Sequence, residues 1–226
     1  MNTTSGITCV GIIMDGNRRW AKARGLPKLE GHRAGSDKLK EAVRLVRAHT
    51  IAHLVVYAFS TENWNRESSE VSYLMDLFKE LIEKEMRELG EEGVRIRFVG
   101  QRERFSKELQ QLMGEREEET KQNTAVTVWI CLSYGGHAEI VAAANKAAQE
   151  GLITEETLAR NLWTVGMPDP DLIIRTGGEK RLSNFLPWQT VYSELFFTES
   201  FWPDFGEEEF DAIITEFAAR ERRHGK

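Results

Sequence analysis

The sequence has few of the features that would direct it to a membrane, to nucleic acid or to an oxidising compartment. No apolar run reaches the roughly 20 residues that span a bilayer, and the amino terminus lacks the basic and apolar regions of a signal peptide. The formal net charge of −6 leaves no basic excess to neutralise a nucleic-acid backbone. Cys9 and Cys131 lie far apart in the chain. We therefore expect a soluble, cytoplasmic protein that has no disulfide framework and no nucleic-acid partner.

Several common catalytic motifs are also missing. The sequence contains no Walker A motif, no G-x-G-x-x-G fingerprint and no G-x-S-x-G nucleophile elbow. Its histidines show neither H-x-x-x-H nor H-x-H spacing, which argues against a zinc site. These absences exclude several common enzyme classes. The remaining candidates for catalytic or binding residues lie at the ends of the predicted strands.

The 226 residues show no repeat, low-complexity segment or linker, so we expect one domain over 1–226. Strand and helix patterns alternate, which favours an α/β fold with a mostly parallel central sheet flanked by helices. The predicted strands are Thr8–Met14, His53–Phe59, Val94–Val99, Thr124–Leu132 and Asp171–Arg175. The predicted helices are Gly35–Ala48, Val71–Leu89, Glu103–Thr120, Ala138–Gln149, Thr154–Leu162 and Glu207–Arg222.

The stretch Val10–Trp20 carries the strongest functional signal. An apolar strand ends there at Asp15, and Gly16 and Asn17 predict a turn into a helix that begins with two arginines. In an open parallel sheet, ligands bind outside the carboxyl ends of the strands. Free backbone N–H groups and arginines suit a diphosphate, and a carboxylate suits Mg²⁺. The alternative is that Asp15 only caps the following helix.

Two further strand ends carry polar loops, 60–66 and 175–183. Arg175, Arg181 and Ser183 are spaced to converge on one anion if the glycine turn between them is tight. They could instead form surface salt bridges with Glu179 or Glu199. In the same way, Arg66 could be a solvated side chain, whereas His32 lies in a basic segment and could donate to a phosphate.

Six sequence blocks resemble the cis-prenyltransferase family, and above all its bacterial members. They are Met14–Ala21, Gly31–Gly35, Tyr57–Trp64, Ile174–Glu179, Arg181–Gln189 and Glu194–Phe197. The blocks occur in order and span nearly the whole chain, which makes the set specific. The resemblance implies Mg²⁺-dependent condensation of isopentenyl diphosphate with an allylic diphosphate by a homodimer. It also implies a Z-polyprenyl diphosphate product, namely undecaprenyl diphosphate made from farnesyl diphosphate for a cell-wall lipid carrier.

The resemblance also assigns roles to individual residues. It implies that Asp15 and Asn63 are catalytic and that Asp15 and Glu194 are associated with the metal. Implied substrate-binding residues in the first half of the chain are Gly16, Asn17, Arg18, Arg19, Trp20, Arg24, Lys28, His32, Ser60, Thr61, Glu62, Trp64 and Arg66. Those in the second half are Arg175, Arg181, Ser183 and Arg223, the last in an Arg-x-Gly element that reaches the partner subunit's site. Trp64 would lie on a mobile lid.

The apolar face of the predicted helix around Val71–Met86 is typical of plain core. The resemblance implies instead that this face lines a hydrophobic tunnel for the growing chain. Peripheral membrane contact would aid product release, without stable insertion. The chain departs from the family pattern at Lys28, Trp129, Ser133, His137 and Lys180. Trp129 is bulky enough to shorten the product if it faces the tunnel.

Three alternatives stay open. The product could be a shorter Z-prenyl diphosphate. The chain could be a non-catalytic partner subunit of a prenyltransferase, although retention of the catalytic and clamp residues argues against this. Asp15 could also be the nucleophile of a phosphohydrolase, but such enzymes usually have a second acid two residues later, where this chain has Asn17.

Overall fold

The computed structural model describes residues 6–220. Its centre is one six-stranded sheet with the order β3-β4-β2-β1-β5-β6, in which all neighbouring strands are parallel. The strands are β1 (Cys9–Ile13), β2 (His53–Ser60), β3 (Val94–Val99), β4 (Val126–Tyr134), β5 (Leu172–Arg175) and β6 (Glu194–Phe197). The predicted α/β class with a mostly parallel sheet is therefore confirmed.

Helices cover both faces of this sheet. They are α1 (Asn17–Ala23), α2 (Lys28–Ala48), α3 (Ser68–Glu83), α4 (Glu85–Glu91), α5 (Lys107–Glu119), α6 (Gly136–Glu150), α7 (Glu155–Ala159) and α8 (Glu207–Ala219). Short 3₁₀ helices occupy Thr61–Asn65, Arg102–Arg104 and Trp202–Asp204. Within residues 6–220, no helix combines the length and the apolar character needed to cross a bilayer.

The core divides by sheet face, because successive residues of a strand point to opposite sides. On one face, Val56 and Ile130 join the large cluster beneath α2, α3, α4, α5 and α8. On the other, Val55 and Trp129 pack with Phe185 and Leu186. All five residues of β1 are buried, as expected for a central strand covered on both sides. Full burial of each such aliphatic side chain contributes about 1.5–3 kcal/mol.

Three element predictions need correction. The predicted helix Val71–Leu89 is broken at Lys84 into α3 and α4, and the helix predicted from Gly35 begins earlier, at Lys28. Strand β6 was not predicted, because its four residues lie inside an aromatic-rich stretch without a clear alternating pattern.

Candidate active site

The polar strand ends identified in the sequence meet at one edge of the sheet. Strands β2, β1 and β5 are neighbours, and their carboxyl ends carry Ser60, Asp15 and Arg175. Arg175 pairs in register with Ile13, so the arginine stands two residues before Asp15 on the adjacent strand. Parallel register alone therefore brings these side chains, which are far apart in sequence, into one site.

Asp15 is held from both its backbone and its side chain. Its N–H donates to Oγ1 of Thr176 at 3.0 Å, and the Thr176 hydroxyl donates to the Asp15 carbonyl at 2.7 Å. One carboxylate oxygen accepts from Nη2 of Arg175 at 2.9 Å, and the other lies 3.2 Å from Nη2 of Arg19. The carboxylate is only partly exposed, and its orientation is fixed by two guanidinium groups.

The turn after Asp15 requires glycine. Gly16 has a φ of 110°, a region that L side chains rarely adopt. A Cβ at this position would lie 2.7 Å from Cδ1 of Phe201, so the space is also closed. The chain can therefore pass from β1 directly into α1, which sets Arg18 and Arg19 beside Asp15.

Three cavities meet beside this turn. A first polar pocket of about 650 Å³ and a second polar pocket of about 630 Å³ share Asp15, Asn17 and Arg66. A narrow apolar cavity of about 80 Å³ runs from them beneath α3 and α4. Met14, Asn17 and His32 line all three cavities. Two polar spaces and one apolar space thus share one junction.

The first polar pocket is strongly basic. The cations that line it are Arg18, Arg19, Lys22, Lys28, Arg66 and Arg181. Glu179 is a second carboxylate on its wall beside Asp15, and it lies near Arg19 and Arg181. This excess of positive charge in a concave space favours a multiply charged anion.

A buried carboxylate organises part of this basic wall. Glu70, which is 2% exposed, accepts from Arg66 at 3.0 Å and lies 3.2 Å from both Lys28 and His32. Burial alone would raise the pKa of Glu70, but hydrogen bonds from His32 and Lys28 and the nearby arginine charges outweigh it and lower the pKa. Burial also lowers the pKa of His32, which favours the neutral ring. Glu70 was missed in the sequence, where it resembles an ordinary first-turn helix acid.

The second polar pocket is built around Arg175, which is 4% exposed. Its Nη1 donates to Oγ of Ser183 at 2.7 Å and also to the carbonyl of Arg181. Its Nε is buried and has no hydrogen-bond partner. Arg175, Arg181 and Ser183 therefore converge on one space, as their spacing in the sequence suggested.

The loop after β2 faces the same pocket. It forms a 3₁₀ turn in which Oδ1 of Asn63 accepts from the N–H of Ser60 at 3.1 Å. Ser60, Glu62, Asn63 and Arg66 line the second polar pocket together with Tyr57 and Asn184, which sequence reasoning did not single out. Thr61 lines neither polar pocket, and its hydroxyl donates to the Glu62 carboxylate at 3.1 Å.

Two of the implied substrate-binding residues are engaged elsewhere. Nε1 of Trp20 donates to Asp204 at 2.7 Å, and Arg24 contacts both oxygens of the same carboxylate at 3.0 and 3.1 Å. The Arg24 guanidinium also stacks over the Trp20 ring at 4.4 Å. This cluster fastens α1 to the Trp202–Asp204 turn and lines neither polar pocket.

Trp64 and Trp129 both pack into the protein. The Trp64 ring contacts Phe59 and Phe105, and its Nε1 donates to the hydroxyl of Ser133 at 2.9 Å, so the structure places it, partly buried, against the core and outside the polar pockets. Trp129 lies on the sheet face opposite the apolar cavity, where it donates to Nδ1 of His53 at 3.2 Å. Its bulk therefore does not narrow the predicted tunnel.

The structure does not bring Glu194 to Asp15. Glu194 begins β6 and pairs in register with Leu172 at the amino end of β5, whereas Asp15 lies beyond the carboxyl end of β1. Its carboxylate instead accepts from Nη1 of Arg220 at 2.6 Å. Within one chain the two acids predicted to share a metal thus lie at opposite ends of the sheet. Arg223 falls outside the described residues.

A metal fits this site only as a partner of a bound anion. Within residues 6–220, no group of three or more His, Cys, Asp or Glu side chains could hold a metal ion. Asp15 supplies one partly exposed carboxylate at the junction of the polar pockets. Mg²⁺ typically takes one or two carboxylates together with phosphate oxygens, so Asp15 in a diphosphate-sized pocket suits it.

Comparison with known proteins gives a consistent result. The Prenyltransf family model, described as undecaprenyl diphosphate synthase, matches residues 13–225. The isoprenyl transferase of Neisseria gonorrhoeae is 48% identical over 219 residues, which cover 96% of this chain and 88% of the relative. The ditrans,polycis-undecaprenyl-diphosphate synthase ((2E,6E)-farnesyl-diphosphate specific) of Legionella pneumophila is 44% identical over 225 residues. These cover 96% of this chain and 94% of the relative.

A solved structure has the same fold. It is the lavandulyl diphosphate synthase of Lavandula x intermedia in complex with dimethylallyl diphosphate, which superposes with a TM-score of 0.94 at 32% identity. The match covers 98% of this chain and 99% of that one. The similarity therefore extends over the sheet, the helices and the loops that form the three cavities.

Proposed function

Because the chain belongs to the undecaprenyl diphosphate synthase family of prenyltransferases, we propose that it condenses isopentenyl diphosphate with an allylic diphosphate at the junction of its three cavities. The family membership confirms the resemblance seen in the sequence, and it establishes the chain as a cis-prenyltransferase. The observation that supports the proposed site is the junction itself. Two polar pockets suit two diphosphates, and the apolar cavity suits a prenyl chain.

We assign the first polar pocket to the allylic diphosphate. Its basic wall includes Arg18, Arg19, Lys28 and Arg66, and it connects to the apolar cavity at Met14. An allylic substrate bound there would place its diphosphate among these cations and its hydrocarbon tail under α3. Lys28 supplies charge without the bidentate geometry of an arginine.

We assign the second polar pocket to isopentenyl diphosphate. Arg175 and Arg181 present guanidinium groups, and Ser183 adds a hydroxyl in the same pocket. Planar guanidinium groups bind phosphate oxygens through paired hydrogen bonds, so this arrangement can hold a diphosphate in one orientation. Arg66 and Arg181 line both polar pockets and would lie between the two substrates.

The proposed reaction breaks the bond between C1 of the allylic substrate and its diphosphate oxygen, and the bonding electrons leave with the diphosphate. The isopentenyl double bond attacks C1, and the isopentenyl unit then loses a proton from its C2 to the released diphosphate, which gives the new double bond. Cations aimed at the departing diphosphate stabilise the charge that develops on it. The apolar wall that begins at Met14 and Leu74 keeps water from the electron-poor carbon.

Mg²⁺ is part of the proposal, and Asp15 is the residue that would hold it. When bound, the ion neutralises diphosphate charge and so favours departure of the diphosphate. Arg175 and Arg19 fix the Asp15 carboxylate at the boundary of both polar pockets. A role for Glu194 would require it to come from a second copy of the chain, since within one chain it lies at the other end of the sheet.

We propose farnesyl diphosphate as the starter and undecaprenyl diphosphate as the product, as the name of the Legionella pneumophila relative suggests. The cavity under α3 is narrow, at about 80 Å³, so a long chain would have to move α3 and α4 away from the sheet. This narrowness favours a shorter Z-prenyl product as the second candidate.

A homodimer in the cytoplasm completes the proposal. Strand β6 is an edge of the sheet, and Leu195 on it and Val191 just before it are 37% and 70% exposed. Exposed apolar side chains on an unpaired edge favour association with another chain. Cys9 and Cys131 are buried free thiols, as in proteins of reducing compartments. Sedimentation of Val191→Glu should then give a monomer where the wild type gives a dimer; equal sedimentation of both would argue against this interface.

The transfer assay tests the proposed activity. Purified protein is incubated with labelled isopentenyl diphosphate, farnesyl diphosphate and Mg²⁺, and parallel samples contain EDTA or geranyl diphosphate. We expect labelled polyprenyl diphosphate with Mg²⁺ and none with EDTA. The absence of any product with either starter would contradict the proposed activity and favour a non-catalytic partner subunit. Phosphate release from simple phosphomonoesters would instead support a hydrolase.

A further inference from the structure

Asn184 connects three segments around the second polar pocket. Its Nδ2 donates to Oε1 of Glu62 at 3.0 Å, and its Oδ1 accepts from the N–H of His137 at 2.9 Å. Its carbonyl accepts from the N–H of Gly136 at 2.8 Å. One half-buried asparagine therefore joins the 3₁₀ turn after β2, the start of α6 and the loop that carries Ser183.

The backbone around Asn184 has an unusual conformation. Ser183, Asn184 and Leu186 have φ values of 50°, 67° and 51°. Residues other than glycine rarely adopt this left-handed region, and asparagine tolerates it better than most. Such conformations persist only when the surroundings determine them, and they cluster at functional sites. Here Arg175 holds Ser183 from one side while the side chain of Asn184 holds the loop from the other.

The neighbouring glycines make room for this connection. A Cβ at Gly135 would lie 2.5 Å from Oγ1 of Thr61 and 2.8 Å from Nδ2 of Asn184. A Cβ at Gly136 would lie 2.0 Å from Cδ of Pro187. The turn from β4 into α6 therefore has glycines at the two positions where the loop after β2 and the loop that carries Ser183 approach it.

The bond between Asn184 and Glu62 involves a charged acceptor. Burial by itself would raise the pKa of Glu62, but hydrogen bonds from its own N–H and from Asn184, Ser60 and Thr61 lower it overall. The carboxylate is therefore ionised at neutral pH, and hydrogen bonds to ionised groups are the stronger ones. Glu62 directly precedes Asn63, the implied catalytic residue, so this bond fixes the position of that residue's turn.

We propose that Asn184 is a positioning residue that sets the isopentenyl clamp against the catalytic turn. The clamp is Arg175 and Ser183, and the catalytic turn is residues 60–66. The inference rests on the proposed assignment of the second polar pocket to isopentenyl diphosphate. Asn184 has no contact with the Glu70 cluster in the first polar pocket. Loss of its side-chain bonds should therefore impair isopentenyl diphosphate more than the allylic substrate.

Two substitutions separate the side-chain bonds from the backbone requirement. Asn184→Gly keeps a residue that accepts positive φ and removes both side-chain bonds. Asn184→Asp keeps an acceptor for the His137 N–H but sets a carboxylate against Glu62. For both variants we expect KM for isopentenyl diphosphate to rise and kcat to fall by about tenfold each, because small misplacements of reacting groups are costly. KM for farnesyl diphosphate should change less than about twofold, since that pocket is untouched.

Exchanging the amide of Asn184 and the carboxylate of Glu62 gives the most discriminating experiment. In the double variant Asn184→Asp with Glu62→Gln, the amide and the carboxylate exchange positions and the hydrogen bond can form again. We expect the double variant to reverse most of the rise in KM for isopentenyl diphosphate that Asn184→Asp causes alone. The matched control is Asn161→Ala, because Asn161 also donates to a glutamate, Oε1 of Glu150, at 3.0 Å and lines none of the three cavities. Its kinetic constants should equal those of the wild type.

The outcomes are distinct. Unchanged constants in both single variants, or equal increases in both KM values without recovery in the double variant, would overturn the positioning role. Melting temperatures of all variants, measured in parallel, identify any general loss of folding. A wild-type protein that incorporates no isopentenyl diphosphate would overturn the proposed function and this inference together, whereas an active wild type with unaffected variants would overturn the inference alone.

Discussion

A single buried carboxylate, Glu70, neutralises part of the basic pocket before any substrate arrives. It contacts Arg66, Lys28 and His32, and it lies 4.0 Å from Nε of Arg18. An uncompensated cluster of cations would repel itself, so this acid allows several positive groups to stay close together. A diphosphate that enters the pocket would then share these cations with Glu70.

Replacing Glu70 should therefore destabilise the protein and weaken allylic binding. For Glu70→Gln we expect a loss of about 2 kcal/mol in the free energy of unfolding, because Arg66 and Lys28, which are themselves partly exposed, lose the charge of a buried acceptor. KM for farnesyl diphosphate should change more than KM for isopentenyl diphosphate. Denaturant unfolding and initial rates measure both. Glu67→Gln is the control, since Glu67 also binds Lys28 but is exposed, and it should have little effect. Equal effects of the two substitutions would contradict the role given to Glu70.

His32 should make stability depend on pH. Burial lowers its pKa from the ordinary value of 6.5, so the unfolded chain binds a proton at a higher pH than the folded protein does. The stability that the neutral His32 ring contributes is fully present above pH 6.5. It is lost as the pH falls through the lower pKa that His32 has in the folded protein. Glu70, Arg66 and Arg18 are the charged groups that act on the ring.

We therefore expect the free energy of unfolding of the wild type to decrease between pH 6.5 and pH 5 more steeply than that of His32→Gln. Urea denaturation at several pH values measures the difference. Parallel curves for the two proteins would show that the pKa of His32 is the same in the folded and the unfolded protein.

Sequence reasoning was effective for residues at strand ends and weak for residues inside helices. Asp15, Arg175 and Ser183 were identified because chemistry-bearing side chains follow buried strands, and parallel strands bring such ends together. Glu70 could not be identified, since nothing in a helix sequence shows which acid is buried under which cations. Trp20 and Arg24 were placed in the site by resemblance, whereas their shared partner Asp204 is 180 residues beyond Arg24 and unpredictable from spacing.

At the scale of elements, the contact of α2 with the turn after β1 positions the basic wall. A Cβ at Gly31 would lie 2.0 Å from the carbonyl oxygen of Asn17, and one at Gly35 would lie 2.5 Å from Oδ1 of Asn17. Glycines one helical turn apart thus allow α2 to approach the backbone of that turn. The same helix carries Lys28 and His32, so its position determines the geometry of the first polar pocket.

Gly31→Ala should disturb both stability and binding. The added methyl group meets backbone that cannot move freely, and we expect a loss of about 2 kcal/mol in the free energy of unfolding. KM for farnesyl diphosphate should rise with it. Gly114→Ala in α5 is the matched control, because a Cβ there meets nothing within 4 Å. It should stabilise the protein by about 0.5–1 kcal/mol, since alanine favours helices over glycine. A neutral Gly31→Ala would argue against this packing.

Element boundaries were predicted less well than element types. Helix α2 begins at Lys28 because Pro27 precedes it and the glycines at 31 and 35 are tolerated within the helix by their packing, whereas in sequence they indicate breaks. The break at Lys84 has no glycine or proline to indicate it. Strand β6 is defined by pairing with β5, and such long-range pairing leaves little trace in four residues.

At the scale of the whole molecule, the residues that the apolar cavity shares with the polar pockets mark the end at which it opens onto the site. Leu74 also lines the second polar pocket, whereas Ile82 and Met86 line only the apolar cavity among the three. Part of the predicted apolar helix face therefore lines a small cavity, and its use as a tunnel for the growing chain stays a prediction.

Enlarging the far end of this cavity should lengthen the product. For Met86→Ala we expect products longer by at least one isoprene unit, because the methionine side chain lines the apolar cavity away from the two polar pockets and its truncation adds space there. Thin-layer separation of dephosphorylated products measures chain length, and a melting temperature checks folding. Trp129→Phe is the control: Trp129 lies on the other sheet face, so chain length should stay the same. A shift with Trp129→Phe and none with Met86→Ala would reverse this assignment.

The central claim is that this chain transfers prenyl groups at the Asp15 junction. The most direct measurement is incorporation of labelled isopentenyl diphosphate into farnesyl diphosphate by wild type, Asp15→Asn and the exposed-site control Asp76→Asn, with melting temperatures measured alongside. We expect full activity in the wild type and the control, and a loss of about 10³-fold in Asp15→Asn, because the carboxylate that contacts both arginines and would hold the proposed Mg²⁺ is gone. Near-normal turnover of a folded Asp15→Asn would contradict the account.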